Sequence, residues 1–541
     1  MTIPGGIWPS LTPLQFAPVL IAIPVLYLVY VLLNTAFCTD IPRLKEIPEL
    51  PGAVPFYGHL KALGNDHASA FQDAYTKNNH EVVQAKLGTR RVLVLNSFDA
   101  AQEFMVKNAS ATIDRPLFYT FHGIVSATQG GTIGTSPWNE STKRMRTTAG
   151  TLMTRPAIQR SAPMLDLETS ALVEGLFKAA EKNGEVDPRI YFQRQALNLT
   201  LMWCYGTRIA SEEDPLLHKI LRVAHSVSSF RSTNNNIQDY VPFYRYLPRS
   251  ERTKTAMKDR STRDLWLDEL FQKAIAALST GQEPTCISAG LLKETEKPSS
   301  GPKLTESEIK SINVSFVSGG FETLATSGLA CLGYLSTKEG QEIQKTAYND
   351  ILAHHGSIKS AWTDCLLSEK SPYIVALVRE GLRFYTPLPL LNPRQTTRPF
   401  TWRGTPIPAN LSIHMNAQSI NHDPAAYGPD AHIFRPERWL ESDAVKPPYQ
   451  YSYGAGSRMC PAVGISNRML YAVYVRILGN FRVLASETMP PEVDYVRFNE
   501  DTTGQSAIPR KFRVKLAPRD GVEGFEECVG MSREATAGMY E

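Results

Sequence analysis

Residues 453–462 read Tyr453-Gly454-Ala455-Gly456-Ser457-Arg458-Met459-Cys460-Pro461-Ala462, and an apolar run with helical spacing follows from Val463 to Val483. Small residues in this loop let a backbone approach a flat ligand closely, and Gly454 and Gly456 supply conformations that bulkier residues avoid. Arg458 offers a cation for a carboxylate, and Cys460 falls at the start of a helix, where backbone N–H groups favour negative charge. A sulfur placed there suits metal ligation as a thiolate. Thiolate ligation of haem iron pushes electron density toward bound oxygen and favours O–O cleavage. The stretch therefore predicts a ligand cysteine, with Tyr453, Gly456 and Arg458 shaping the pocket around the cofactor.

Two further segments lie upstream. In Val378-Arg379-Glu380-Gly381-Leu382-Arg383, Glu380 and Arg383 are three apart, on one helical face, and can pair. Phe434-Arg435-Pro436-Glu437-Arg438-Trp439 stands between that pair and the cysteine. Within the long apolar segment Ile309 to Leu335 lies Ser318-Gly319-Gly320-Phe321-Glu322-Thr323. Two adjacent glycines cost roughly 1 kcal/mol each inside a helix, so they predict space beside it rather than ordinary packing. Glu322 followed by Thr323 pairs an acid with a hydroxyl, a combination suited to holding water and relaying protons in a dry pocket. Thr305, with Glu308 three residues on, predicts a capping box at the start of this helix.

These motifs, in this order, resemble those of the cytochrome P-450 superfamily, whose haem-binding pattern is aromatic-x-x-Gly-x-Arg-x-Cys-x-Gly. Tyr453 stands at the aromatic position and Ala462 at the final glycine. The resemblance implies a mainly α fold with a minor β portion, haem b (iron protoporphyrin IX) as cofactor, and Cys460 as the iron ligand. It implies a Glu380–Arg383–Arg438 network bracing the loop below the haem, and an oxygen-binding groove beside Thr323. Haem propionates need cations: Arg458, Arg394 in Leu391-Asn392-Pro393-Arg394, and Trp138 with Lys143 and Arg144 are the candidates, although the usual W-x-x-x-R spacing puts the base at Thr142. The stretches Arg115-Pro116-Leu117-Phe118-Tyr119-Thr120-Phe121-His122 and 129–138 are similar to fungal phenylacetate-hydroxylase-type members.

Composition agrees with a large globular enzyme. Hydrophobic residues make up 43% and charged residues 20% of 541, which suits a buried core and excludes a disordered chain. The 57 basic and 53 acidic residues form no long basic block, so nucleic acid is not an expected partner. The seven cysteines include no C-x-x-C pair, against both a zinc site and a disulfide framework. No glycine-rich dinucleotide loop is present, so any NADPH would have to act through a separate protein, and the resemblance implies that this partner is an NADPH–cytochrome reductase.

Leu14 to Phe37 is uncharged and mostly apolar, and the first charged residue is Asp40. That length spans a hydrocarbon core of about 30 Å. With Arg43 and Lys45 just after it, the positive-inside rule puts the body in the cytosol. The chain then reads as a membrane anchor (1–39), a Pro-rich lead-in (40–58), a catalytic domain (59–520) and a Gly- and Glu-rich tail (521–541) expected to fray. Residues 82–96 predict a hairpin about Gly88-Thr89. The N-x-S/T sites at Asn108, Asn139, Asn198, Asn313 and Asn410 read as chance matches.

The function these features point to is monooxygenation of a small organic substrate, aromatic or of secondary metabolism, at the endoplasmic reticulum membrane. A haem-thiolate isomerase or dehydratase would need neither a reductase nor the Glu322-Thr323 pair. A non-catalytic tethered protein would need none of the motifs.

Overall fold

The computed structural model describes residues 13–129, 131–234, 236–279, 286–297, 303–441, 449–519 and 521–539, with side chains from Ala22 onward. Helices dominate, as expected, and the β portion is small. The predicted hairpin forms from β1 (Val82–Leu87) and β2 (Arg90–Leu95). Its Gly88 has φ +56°, and a Cβ there would lie 2.1 Å from the Tyr240 carbonyl oxygen, so the turn tolerates only glycine. The broken segment 390–415 supplies β3 (Arg394–Gln395), β4 (Phe400–Trp402), β5 (Thr405–Ile407) and β6 (Ser412–Met415). The main sheet runs β1-β2-β6-β3, with β2 parallel and β3 antiparallel to β6. Pairing of Arg394 with Ile413 fixes Arg394 in the sheet, at the edge of the site described below.

The long helix Glu306–Ser336 runs through the main core. Thr305 and Glu308 close it with the expected capping box. Its partner across the core is the helix Arg189–Tyr205: at Gly320 a Cβ would meet Thr200 Cγ2 at 2.7 Å, and at Gly328 one would meet Phe192 at 2.6 Å. Glycine lets these two helices approach. The helices Pro372–Phe384, which carries Glu380 and Arg383, and Val463–Asn480, which follows the cysteine loop, pack beside them.

The tail is not a fraying segment. Val522–Ala535 is a helix, and its Phe525, Cys528, Val529 and Ser532 are buried. Those positions are i, i+3, i+4 and i+7, the stripe of a helix lying on a core. Phe525 meets Phe481 and Phe177 with ring centroids 4.8 Å and 5.2 Å away. The glycines and glutamates that suggest disorder occupy its other face.

At the N-terminus, Pro13–Phe37 is helical. Among the described residues no helix is long and apolar enough to cross a membrane; the side chains of 13–21, which include about a third of the expected spanning segment, lie outside them. The helix end meets the body through Lys86, whose Nζ donates to the Ala36 carbonyl at 2.6 Å. Of the N-x-S/T sites, Asn198 and Asn313 are fully buried, and Asn139 caps the helix Glu140–Leu152.

Candidate active site

Cys460 lines a cavity whose wall also contains Thr323, Gly319, Arg458, Arg394 and Tyr453. The loop before the cysteine is shaped by backbone bonds, from Gly454 N to Tyr451 O at 2.7 Å and from Cys460 N to Tyr453 O at 3.0 Å. Gly454 and Gly456 both adopt positive φ, +68° and +63°. Their roles differ: Gly454 lines the cavity, whereas a Cβ on Gly456 would fall 1.9 Å from the Met105 carbonyl oxygen. Gly456 thus makes room for the helical turn Gln102–Lys107 rather than for a flat ligand. The ring of Tyr453 is fixed by its hydroxyl, which donates to Asn467 Oδ1 at 2.7 Å.

Burial pushes the Cys460 thiol up, against the pull of the Ala462 amide and of Arg146. The helix start alone therefore does not make the thiolate; a bound metal ion, which displaces a thiol proton outright, would.

Four guanidiniums converge on the cavity: Arg115, Arg146, Arg394 and Arg458. Arg458 donates to the carbonyls of Ser136, Ile113 and Ile133 at 2.8, 3.1 and 3.3 Å, and its guanidinium lies 5.5 Å from the Trp138 ring centroid. Arg394 donates to Ala455 O at 2.7 Å, Arg115 to Pro393 O at 2.7 Å, and Arg146 to Met459 O at 2.9 Å. Burial, and after it the neighbouring guanidiniums, holds Arg115 and Arg394 well below the usual arginine range, and burial with Arg146 brings Arg458 down to about 9. Asp114, the acid that acts on Arg115 and Arg458, already accepts the amides of Arg115 and Trp138 at 2.8 and 2.6 Å. The Nε atoms of Arg115, Arg394 and Arg458 are buried without a partner. Buried unpaired donors on mutually repelling cations call for an anion. Two carboxylates on one planar ligand, lying over a thiol, meet that need, so the residues fit a haem.

Lys143 does not join them. Its side chain is 58% exposed and faces Glu140 at 3.9 Å, while Arg144 binds Glu308 at 2.6 Å. Arg146 takes the position instead. In the helix Glu140–Leu152 the buried residues are Thr142, Met145 and Ala149, and Arg146, one turn after Thr142, is the base in phase with that stripe. Trp138 acts on Arg458 and lies outside the cavity wall. Arg115 and Arg146 are both absent from the expected set; helical phase identifies Arg146, whereas no local pattern marks Arg115 as a cation of the site.

Glu322 and Thr323 face different spaces. The Thr323 hydroxyl donates to Gly319 O at 2.8 Å on the cysteine cavity. Gly319 has open space where a Cβ would be. Glu322 lines an adjoining cavity with Phe121, Val227 and Phe321, and accepts from Ser506 Oγ at 2.9 Å. Burial raises its pKa, opposed by Ser506, Arg231 and His225. The two residues are about 100° apart around the helix, so the expected contiguous acid–hydroxyl pair is divided between two walls.

Behind the loop, Glu380 accepts Arg383 Nη2 and Nε at 2.7 and 2.9 Å, Arg438 Nε at 3.1 Å, Trp439 Nε1 at 2.9 Å and the Arg435 amide at 2.8 Å. Arg383 also reaches Asn421 O at 2.8 Å. Asn421 in turn accepts the Tyr451 amide at 2.8 Å and donates to Ser452 Oγ at 3.1 Å. The network thus runs from the Pro372–Phe384 helix to the residues immediately before the cysteine loop.

Residues 48–503 match the family model for cytochrome P-450. The chain is 39% identical over 508 residues to phenylacetate 2-hydroxylase of Emericella nidulans, covering 93% of this chain and 96% of that one. It is 37% identical over 518 residues to 3-hydroxyphenylacetate 6-hydroxylase of the same organism, covering 95% and 96%. A cytochrome P-450 monooxygenase of Mycosarcoma maydis is 33% identical over 483 residues, covering 87% of each. A cysteine cavity ringed by arginines, a glycine-opened helix beside it and near full-length relatives at these identities agree: the chain belongs to the cytochrome P-450 family of haem monooxygenases.

Proposed function

We propose that the enzyme hydroxylates an arylacetic acid or a closely related small aromatic acid, with electrons from an NADPH–cytochrome reductase. The observation that carries the substrate class is the pair of Emericella nidulans relatives, both hydroxylases named for arylacetates and matched along nearly their whole lengths. When bound, haem supplies the oxygen-activating chemistry of the family. Cys460 provides the sulfur, and Arg115, Arg146, Arg394 and Arg458 hold the carboxylates. The network of Glu380, Arg383 and Arg438 keeps the cysteine loop in register. Leu324, Leu388, Leu391 and Phe316 make an apolar part of the cavity wall, which limits water there. The Thr323 hydroxyl, on that wall, moves a proton toward the reacting centre. Glu322 acts at one remove, from the adjoining cavity.

The test is product formed per NADPH consumed, with reductase and phenylacetate. Wild-type enzyme is expected to give a ring-hydroxylated acid with NADPH consumption. Thr323→Ala lowers product per NADPH by about 10²-fold or more, the lower range for a positioned proton donor. Glu322→Gln, on the other wall, has a much smaller effect. Conversion without NADPH would instead favour an isomerase or dehydratase.

The N-terminal helix is proposed as a single-pass anchor in the endoplasmic reticulum membrane, with the body cytosolic. Supporting this are its 25 residues, about 37 Å at 1.5 Å per residue, and the exposure of Ile23, Leu26, Tyr27, Tyr30 and Phe37. Deleting residues 1–38 is expected to leave the haem spectrum intact and release the protein from membranes on fractionation. Persistent sedimentation with membranes would assign the contact to the exposed Phe243 and Tyr246.

A further inference from the structure

A fifth arginine, Arg231, lines the cysteine cavity beside the four already described. Arg231 follows the helix Pro215–Ser229, its amide bonded to Ser228 O at 3.0 Å. It borders the cysteine cavity and also the smaller spaces adjoining it, including the one that Glu322 lines. The charges that act on it are Glu322 and Arg263, not the four guanidiniums of the cluster. Arg263 is engaged elsewhere, with Asp264 at 2.8 Å and Val125 O at 2.9 Å, and Glu322 holds Ser506.

Among the described residues the Arg231 guanidinium makes no hydrogen bond or ion pair, and its Nε is buried without a partner. Its recorded contact is with the Phe121 ring, 4.9 Å from the centroid, which fixes the plane of the fork without satisfying a donor. No Asp or Glu is among the described residues lining the cysteine cavity. An unsatisfied guanidinium bordering this cavity near the apolar side chains of Phe316, Leu324 and Leu391 can take a carboxylate on two parallel N–H bonds.

We infer that Arg231 determines specificity by binding the carboxylate of an anionic aromatic substrate, leaving the ring against Phe316, Leu324 and Leu391 on the way to Cys460. This rests on the arylacetate reading above and adds the residue that enforces it. A neutral arene or an amide of the same shape leaves the fork unpaired and is rejected for that reason rather than by size.

Substrate binding is read as the haem spin-state change on titrating the holoenzyme with phenylacetate and with 2-phenylacetamide, at haem content matched by the reduced CO spectrum. Wild type is expected to prefer the acid. Arg231→Met weakens phenylacetate binding on the order of 10- to 100-fold, the range for a lost hydrogen-bonded charge, and leaves the amide within about twofold. Arg231→Lys, which keeps the charge but not the fork, retains an intermediate preference for the acid, and it serves where the Met variant does not fold. Unchanged phenylacetate affinity in Arg231→Met, or equal loss for both ligands, overturns the inference while the arylacetate reading stands. A wild-type enzyme that responds to neutral arenes and to no arylacetate overturns the reading itself, and the inference with it.

Discussion

Cys460→Ser is expected to give a folded protein that forms no hydroxylated product and shows no thiolate band in its reduced CO spectrum. The loop is held by backbone bonds at Gly454 and Cys460 that a serine retains, so the loss is not one of folding. Its cause is electronic, since a hydroxyl is not deprotonated and polarised as a thiol is and does not donate comparably to iron. Cys460→His restores a metal ligand but not the donation, so it binds haem with a shifted spectrum and still makes no product. Turnover with an unaltered spectrum in either variant would remove Cys460 from the site.

Glu380→Ala is expected to prevent accumulation of holoenzyme. Its carboxylate and the Arg383 side chain are both 0% exposed, and Arg438 is 5% exposed. Removing one partner from a buried pair costs about 3–5 kcal/mol, because the remaining charge is left uncompensated. Here two guanidiniums lose their shared acceptor, and the indole of Trp439 and the Arg435 amide lose theirs. Against a total stability of about 5–15 kcal/mol, that is a large fraction of what holds the fold and the loop together. Glu380→Gln keeps the shape but aims an amide N–H at donors, so it shows a lowered Tm and a reduced haem-to-protein ratio. A Glu380→Ala protein with wild-type Tm and full haem content would show that the network does not brace the loop.

What the sequence made readable was local. The cysteine loop, the Glu380–Arg383 spacing and the capping box at Thr305 are each contained within a few residues; the pair and the cap form as expected, whereas in the loop Gly456 faces Met105 and not the cavity. Gly319 and Gly320 pointed to space beside a helix, yet only the packing shows that one glycine opens the cavity and its neighbour admits Thr200. Choosing among Lys143, Arg144 and Arg146 depended on helical phase, and a family spacing counted from Trp138 passes over it. Arg115 has no local pattern that marks it as a member of the site, and it is held there by Asn392 and Pro393, whose carbonyls it binds. The C-terminal helix was hidden because its apolar stripe is diluted by glycines and glutamates on the far side.

The ring of four arginines also bears on the stability of the folded chain. Like charges gathered in a poorly solvated hollow oppose the closing of that hollow, and a dianionic ligand reverses the sign of that term. Since a ligand that binds the folded state alone stabilises it in proportion to the logarithm of its free concentration, folding and loading become one equilibrium. The native state is therefore expected to be more stable with haem bound than without it, by the amount the binding equilibrium sets.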